Sequence, residues 1–516
     1  MSTPCSFIIV KGQPKALLIE KMDLGEHGVY AIKYKNSSNT YHYRYGDVIV
    51  LQDSVWHDHL YLKVFIGNRE QHNVSDVRSF NQGSLTHWRI TYENGYVQDY
   101  MDGTIKVAKS CLGDDVARNA FEYLKRIAQI NELGKDEENG GILPSLYENI
   151  DFIDEDLIAA PYLDAKKYKP HSMHSSNLLF PFGCNASQSK AVKKAFEKQI
   201  SVIQGPPGTG KTQTILNIIA NILMRNQTVM VVSNNNSATT NVLEKLQKYG
   251  IGFIVASLGK RENKEHFIEN QPTIPTELYT WKLTIEDRRN ARQNVALTFS
   301  KLQNVFSLQE ELSECKQEIK EVELEWRHFQ ADNNIGDNDY TPKTGIRSKR
   351  LMRLWLEFQA LVENKVQGVR KTGIIHWLKL MWLNFIRRYV LGVKSSITGY
   401  NLQPIILELQ SLYYIVRQQE LSKRINEIET ELQVIDADKL TKEISTLSIS
   451  LLKDKLFENY HSNERLILND IKEIRTHAEE FCKQYPVVLS TTFSARTAIP
   501  EQVYDFIILV VIHSSF

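Results

Sequence analysis

The sequence predicts an α/β core whose parallel sheet is interrupted by a long helical insertion and preceded by a β-rich region. Three observations carry that prediction. Between residues 198 and 260, short apolar runs alternate with helix-length segments, the pattern of strands joined by crossover helices. From about 263 to 484 the strand pattern vanishes and apolar residues recur at heptad spacing. Residues 1 to about 110 show period-two alternation broken by polar turns.

The bulk properties set the frame. A chain of 516 residues has room for about three domains. A net charge of +1 argues against a uniformly basic coat for nucleic acid, although local patches survive such an average. Cys5, Cys111, Cys184, Cys315 and Cys482 are scattered without a CxxC pair, so zinc-ribbon and iron–sulfur readings have no support. Dispersed cysteines fit reduced thiols, and a cytoplasmic protein is expected. The first residues lack a basic leader followed by a long apolar core, so no signal peptide is read. The most membrane-like stretch, 373–393, is interrupted by Lys379, Asn384, Arg387 and Arg388, which favours a buried or amphipathic helix over a membrane span.

Residues 1–135 read as a β-rich accessory domain. VYAIKYKNSSNTYHYRYGDVIVL alternates on both sides of an Asn-Ser-Ser-Asn turn, and THWRITYENGYVQDYMDGTIKVA repeats the pattern around Asn-Gly. A helix follows, capped by Asp114 or Asp115 and stopped by Gly134. Nothing in these strands looks catalytic. GKDEENGG, which begins at Gly134, is a linker candidate, and residues 136–175 read as the linker. In 176–262 the expected order is strand KQISVIQ, helix KTQTILNIIANILMRN, strand TVMVVSNNN, helix SATTNVLEKLQKYG and strand FIVASLG.

Residues 263–484 read as a helical insertion. Val305, Leu308, Leu312, Cys315, Ile319, Val322, Trp326 and Phe329 follow alternating steps of three and four, and Leu421, Ile425, Ile428, Leu432 and Ile435 do so again. Two such arms predict an antiparallel helical (coiled-coil) hairpin. Its expected tip, 342–394, holds twelve Lys/Arg against Glu357 and Glu363, with Trp355, Trp377 and Trp382 interleaved. That composition suits phosphates and bases, a solvated helical face, or an anionic membrane surface. Sheet pattern returns in 485–516, ending in an apolar strand from Phe506 to Ile512 that reads as buried on both faces.

One motif carries chemistry. VIQGPPGTGKTQT fits G-x-x-x-x-G-K-[ST] with Gly205, Gly210, Lys211 and Thr212. Glycines let backbone N–H groups wrap a phosphate, and a helix beginning near Lys211 aims its positive end at that charge. The binding set is then Gly205, Pro206, Pro207, Gly208, Thr209, Gly210, Lys211, Thr212 and Gln213. Lys211 reaches the β- and γ-phosphates of ATP, and Thr212 holds Mg²⁺. Gln188, ahead of the loop, can both donate to and accept from an adenine edge, which suits ATP over GTP.

FGCNASQSKAV before IQGPPGTGKTQTI, then VSNNNSATTNVLEKL and PVVLSTTFSAR, resembles the first motor domain of superfamily 1 helicases, in the branch of the nonsense-mediated-decay and replication-maturation helicases. The resemblance implies a P-loop, RecA-like fold. It implies that Ser233 and Asn234, and Ser490, Thr491 and Thr492, touch the backbone of single-stranded DNA or RNA. It also makes the β-rich region and the hairpin accessories of the motor.

In that family a metal-binding Asp-Glu pair ends the strand after PVVLSTTFSAR. In YDFIILVVIHSSF the pair's positions fall on Val510 and Val511, and Asp505 stands at the other end of the strand. Carboxylates there anchor Mg²⁺ and activate water, which valines cannot do. The expectation is an ATP-binding helicase-like protein, stopped inside its first motor domain by truncation or a frame shift, that neither hydrolyses ATP nor unwinds alone. A separate chain supplying the second motor domain is a candidate partner, and a membrane is not. The alternatives are a nucleotide-dependent nucleic-acid-binding module without turnover, and a non-functional fragment of a frame-shifted gene.

Overall fold

The computed structural model describes residues 5–25, 28–67, 69–131, 141–169, 177–206, 208–234, 236–336, 340–342, 345–366, 381–382, 385–386, 402–462, 464–500 and 502–511. The chain divides into two units, one of residues 1–175, 194–202 and 491–498, the other of 176–193, 203–490 and 499–516.

The first unit is antiparallel. Strands β1 (Phe7–Val10), β2 (Gln13–Pro14), β3 (Ile19–Leu24), β4 (Val29–Tyr34), β5 (Thr40–Arg44) and β6 (Val48–Leu51) form two three-stranded sheets, ordered β2-β1-β6 and β3-β4-β5. β1 is buried on both faces, as its unbroken Phe-Ile-Ile-Val requires. Ile8 and Val10 join Ala16, Ile32 and Val48 in one core, while Phe7 and Ile9 meet Phe80 in another. Strands β7 (Ser54–His57), β8 (Leu62–Ile66), β9 (Arg69–Gln71), β10 (Val74–Gln82), β11 (Leu85–Tyr92), β12 (Val97–Tyr100) and β13 (Lys106–Lys109) build two more sheets around Val64, Val77 and Ile90. Buried Arg89 forks onto Asp99 at 2.6 and 2.8 Å and donates to the Ser6 carbonyl, so its charge is matched inside the core. Helices α1 (Asp115–Ile130), α2 (Ile142–Glu148) and α3 (Ala159–Leu163) follow; α1 starts after Asp114, as expected. Gly134 and most of GKDEENGG lie outside the described residues.

The second unit contains α4 (Ala186–Glu197) in part, then α5 (Lys211–Leu223), β14 (Val229–Ser233), α6 (Asn236–Lys248), β15 (Val255–Ser257) and α7 (Arg261–Glu269). Gly250, at φ +76°, takes the left-handed turn that closes α6. The long helices α8 (Ile285–Asn333), α9 (Ser348–Val366), α10 (Gln403–Val434) and α11 (Ala437–Tyr460) come next. The unit closes with α12 (Ile471–Thr476), α13 (Ala478–Gln484), β16 (Val487–Thr491), α14 (Ala495–Ala498, assigned to the first unit) and β17 (Phe506–Val510). The sheet order is β15-β16-β14-β17, with β14–β17 and β15–β16 parallel.

The α8 and α10 arms lie side by side. Glu311 pairs with Arg424 and Glu318 with Arg417, so numbers rise on one helix as they fall on the other and the arms are antiparallel. Val305, Leu308 and Val322 face inward on α8, and Leu421 and Ile428 on α10. α9 packs Leu351, Leu354 and Phe358 onto Ile405, Leu409, Leu412 and Val416 of α10. At the root, Arg288 holds Asp454 at 2.6 Å, and Asp454 also accepts from the Leu283 N–H. Much of the predicted basic tip, with Trp377 and nearly all of 373–393, lies outside the described residues; Trp355 and Trp382 are within them.

Two strand expectations need correction. KQISVIQ forms no strand: residues 199–206 are irregular and Val202 is 79% exposed. A strand persists only where a neighbour takes its hydrogen bonds, and no described strand pairs with this run. The last strand is formed but not buried on both faces. Among the described residues β17 pairs only with β14, and Ile507, Leu509 and Val511 on one side are 58%, 61% and 57% exposed.

Candidate functional site

The loop Gly205–Gln213 leads into α5 through two left-handed glycines. Gly208 lies at φ +86° and Gly210 at φ +80°, the latter being the residue that precedes α5. Gly210 is fixed by space as well as by dihedral. A Cβ there would stand 2.2 Å from Gln188 Nε2, and one at Gly205 would stand 2.5 Å from Thr209 Oγ1. The turn closes on itself, with Thr209 Oγ1 donating to the Pro206 carbonyl at 2.8 Å. Lys211 Nζ donates to the carbonyls of Gly205 and of Pro206, the latter at 3.1 Å, so its ammonium lies across the loop mouth. Thr212 and Gln213 occupy the first turn of α5, while Pro207 lies outside the described residues.

Gln188 is brought onto this loop. Its Oε1 accepts from the Asn185 N–H at 3.0 Å while Asn185 Oδ1 accepts from the Gln188 N–H at 2.9 Å, a reciprocal cap on α4. Its Nε2 donates to the Thr209 carbonyl at 3.2 Å and to Gln213 Oε1 at 3.3 Å. Both amide hydrogens are thereby used, and an adenine amino group would meet the second lone pair of Oε1. Gln213 in turn donates to the Phe182 carbonyl.

Sequence reasoning missed the residues that hold a strap, Leu179–Gly183, against α5. Asn217 and Asn221 are buried on α5. Asn221 accepts from the Leu179 N–H at 2.8 Å and donates to the Leu179 carbonyl at 2.7 Å. Asn217 accepts from Phe182 N–H at 3.2 Å and donates to the Gly183 carbonyl at 2.7 Å. The signal was legible: asparagines four apart on an otherwise apolar helix face must find partners in the core. Just after the strap, burial pushes the Cys184 thiol up to about 12.

The remaining sequence candidates sit at strand ends. Ser233 ends β14, and its Oγ donates to the Val510 carbonyl of β17 at 2.9 Å, so the hydroxyl faces the sheet; Asn234 beside it is exposed. Ser490 is buried, with Oγ lacking a hydrogen-bond partner among the described residues. Thr491 Oγ1 accepts from the Ser494 N–H at 3.2 Å, and Thr492 is half-buried. Val510 stands opposite Ser233 at the end of β17, with Val511 next. Asp505 is spent at the other end, accepting from Thr228 N–H at 2.8 Å and Thr228 Oγ1 at 2.9 Å. Five residues at ~3.3 Å each put it about 16 Å from Val510 along the strand. A phosphate fits the glycine cradle and the α5 N-terminus; for Mg²⁺ the site offers Thr212 but no carboxylate at Val510 or Val511.

Residues 183–512, more than half of the chain, match the AAA domain family. A 71-residue stretch is 44% identical to the DNA polymerase alpha-associated DNA helicase A of Schizosaccharomyces pombe, covering 14% of this chain and 11% of that protein. Over 82 residues it is 37% identical to the Regulator of nonsense transcripts 1 of Caenorhabditis elegans, covering 16% and 8%. Over 86 residues it is 36% identical to the DNA replication ATP-dependent helicase/nuclease DNA2 of Homo sapiens, again 16% and 8%. The aligned stretches span about a tenth of the length of these curated relatives. The chain belongs to the AAA domain family, within the superfamily 1 helicases of the nonsense-mediated-decay and replication-maturation branch.

Proposed function

We propose that this chain binds ATP at Gly205–Gln213 in response to, or in support of, a grip on single-stranded DNA or RNA, and turns ATP over poorly on its own. The observation that carries the reading is the closed contact of Gln188 with Thr209 and with the space above Gly210, which joins an adenine-side residue to a phosphate cradle. The relatives named for helicase activity support the polynucleotide. Ser233, Asn234, Ser490, Thr491 and Thr492 are its proposed contacts, and Asn234 is the exposed one. Lys211 must leave the Gly205 and Pro206 carbonyls to meet phosphates. Thr212 is the proposed protein ligand of Mg²⁺ brought in with the nucleotide. Val510 and Val511 offer no group to take the proton of an attacking water. A separate chain bearing a second motor domain is the proposed route to turnover. Among the described residues no helix is long and apolar enough to cross a membrane; a cytoplasmic setting is proposed.

The test pairs binding with turnover. A fluorescent ATP analogue should bind, and Lys211→Ala should weaken it at least about tenfold, the scale of one hydrogen bond to a charged group. Hydrolysis with and without single-stranded oligonucleotide should stay at background and rise in a Val510→Asp/Val511→Glu variant. Robust wild-type turnover abolished by Lys211→Ala would overturn the assignment of the valines.

A further inference from the structure

The β4–β5 hairpin of the first unit has a composition that the nucleotide site does not use. Residues 29–45, VYAIKYKNSSNTYHYRY, hold five tyrosines, three Lys/Arg and no Asp or Glu. Residues two apart on a strand share a face, so Tyr30, Ile32 and Tyr34 of β4 stand beside Tyr41 and Tyr43 of β5. The register confirms it: Tyr30 pairs with Tyr43 and Ile32 with Tyr41. Ile32 is fully buried, and Tyr30, Tyr34 and Tyr43 close the rim of its core.

The rings meet in two groups that the Tyr30–Tyr43 register sets side by side. Tyr45 stacks on Tyr30 at 6.0 Å and 15°, Tyr43 and Tyr34 meet through their hydroxyls at 3.2 Å, and Tyr34 lies 5.6 Å from Tyr41. The outer members are the open ones, Tyr45 at 66% and Tyr41 at 42% exposed. Burial and the neighbouring phenols push the Tyr34 hydroxyl up.

A cation is set on this ladder at a cost. Val10 pairs with Gln13, leaving Lys11 and Gly12 as a two-residue turn with φ of +47° and +75°. Such turns favour Asn or Gly at the first position, where a left-handed lysine is strained. Turn chemistry therefore does not explain Lys11, whose ammonium lies 5.7 Å from the Tyr43 ring centre. Glu20 offsets Lys33, but among the described residues no carboxylate pairs with Lys11, Lys35 or Arg44.

We infer that this tyrosine ladder is a stacking platform for unpaired bases, with Lys11 beside it to meet the phosphate backbone. Flat, neutral aromatic faces accept any base, and a hairpin without a single acid favours a polyanion. A proline-rich peptide would use the rings but gain nothing from the charge. The inference extends the proposed reading that the chain acts on single strands, yet it needs neither ATP nor the sheet.

The test uses the full chain without nucleotide and a fluorescein-labelled oligo(dT) or oligo(U), read by anisotropy. Tyr41→Ala/Tyr45→Ala should weaken binding at least about tenfold, and Tyr41→Phe/Tyr45→Phe should keep it, because stacking needs the ring and not the hydroxyl. Lys11→Asn suits the turn better and should lower the salt slope by about one phosphate contact. Circular dichroism melting checks that each variant folds. Unchanged affinity in the alanine variant while the wild type binds would overturn the ladder and leave the motor reading intact. Equal binding of duplex, or capture of a polyproline peptide with no oligonucleotide binding, would also overturn it. Lost binding in the alanine variant with ATP-analogue affinity untouched would establish it whatever the motor does.

Discussion

α5 and β17 belong to the same unit and flank the chemistry expected of it, but they are finished to different degrees. α5 is buried from Leu216 to Leu223, and both of its inward asparagines are fully engaged. β17 pairs on one side and shows alternate residues to solvent. Phosphate-cradle geometry depends on where α5 begins, and the asparagine clamps hold that helix against the Leu179–Gly183 strap. The strand that would present a metal ligand instead ends in valine, on the least enclosed edge of the sheet. The helix end at the glycine loop and the strand that ends in valine are thus held by separate pieces of structure, and the first is the better enclosed among the described residues.

That contrast can be broken at its strong end. Asn221→Ala strands the buried Leu179 N–H and carbonyl, and should cost at least ~2 kcal/mol. Urea unfolding followed by tryptophan fluorescence should show a lower midpoint together with weakened ATP-analogue binding. A neutral result would mean that the strap is not what fixes α5.

Alkaline pH should act next. Burial pushes the thiols of Cys184, next to the strap, and Cys482, on α13, up to about 12 from an ordinary 9.0. A raised acid pKa means the folded state holds the proton after the unfolded chain has released it. Stability is therefore full below pH 9 and falls as pH rises toward 12, by about 1 kcal/mol per thiol at pH 10. Cys184→Ala/Cys482→Ala should flatten that slope in denaturation midpoints taken between pH 8 and 10.5. In the native chain at pH 7.5, exposed Cys5 should react with maleimide well before either.

The weak end gives the smallest effect. Val231→Ala in β14 should cost ~1 kcal/mol or more, whereas Leu509→Ala in β17 should fall within about 0.5 kcal/mol. Leu509→Lys should lower self-association in light scattering, because charge on an open edge discourages strand pairing. Equal costs at 231 and 509 would mean that β17 is covered in solution.

Much of the architecture was legible, for reasons specific to each element. Glycine spacing located the phosphate loop because only glycine tolerates φ near +80° at Gly208 and Gly210. Heptad spacing located α8 and α10 because a long helix must repeat its apolar face to stay buried. KQISVIQ was misread because an apolar run records an appetite for neighbours and not their presence. Gln188 was read as a ligand contact, but its packing against Gly210 and its cap on α4 depend on distances that no linear pattern encodes. Asn217 and Asn221 went unread because polar residues inside an apolar helix identify a debt without naming the partner.

The Arg288–Asp454 pair at the root of the helical arms bears on how this chain tolerates change in length. It joins positions 166 residues apart, so the path leaves the sheet and comes back to its point of departure. Distal to it the arms still touch the strap and α4, through Phe299 on Phe180, Ser448 on the Phe180 N–H and Glu310 on Lys190, and past those contacts they behave as a side branch whose two ends are already stapled. Lengthening the arms by whole turns, or pruning them behind a short connector, alters the branch without shifting the register of β15, β16 or β14. The sheet keeps time on its own, and the arms are free to be measured against whatever they must reach.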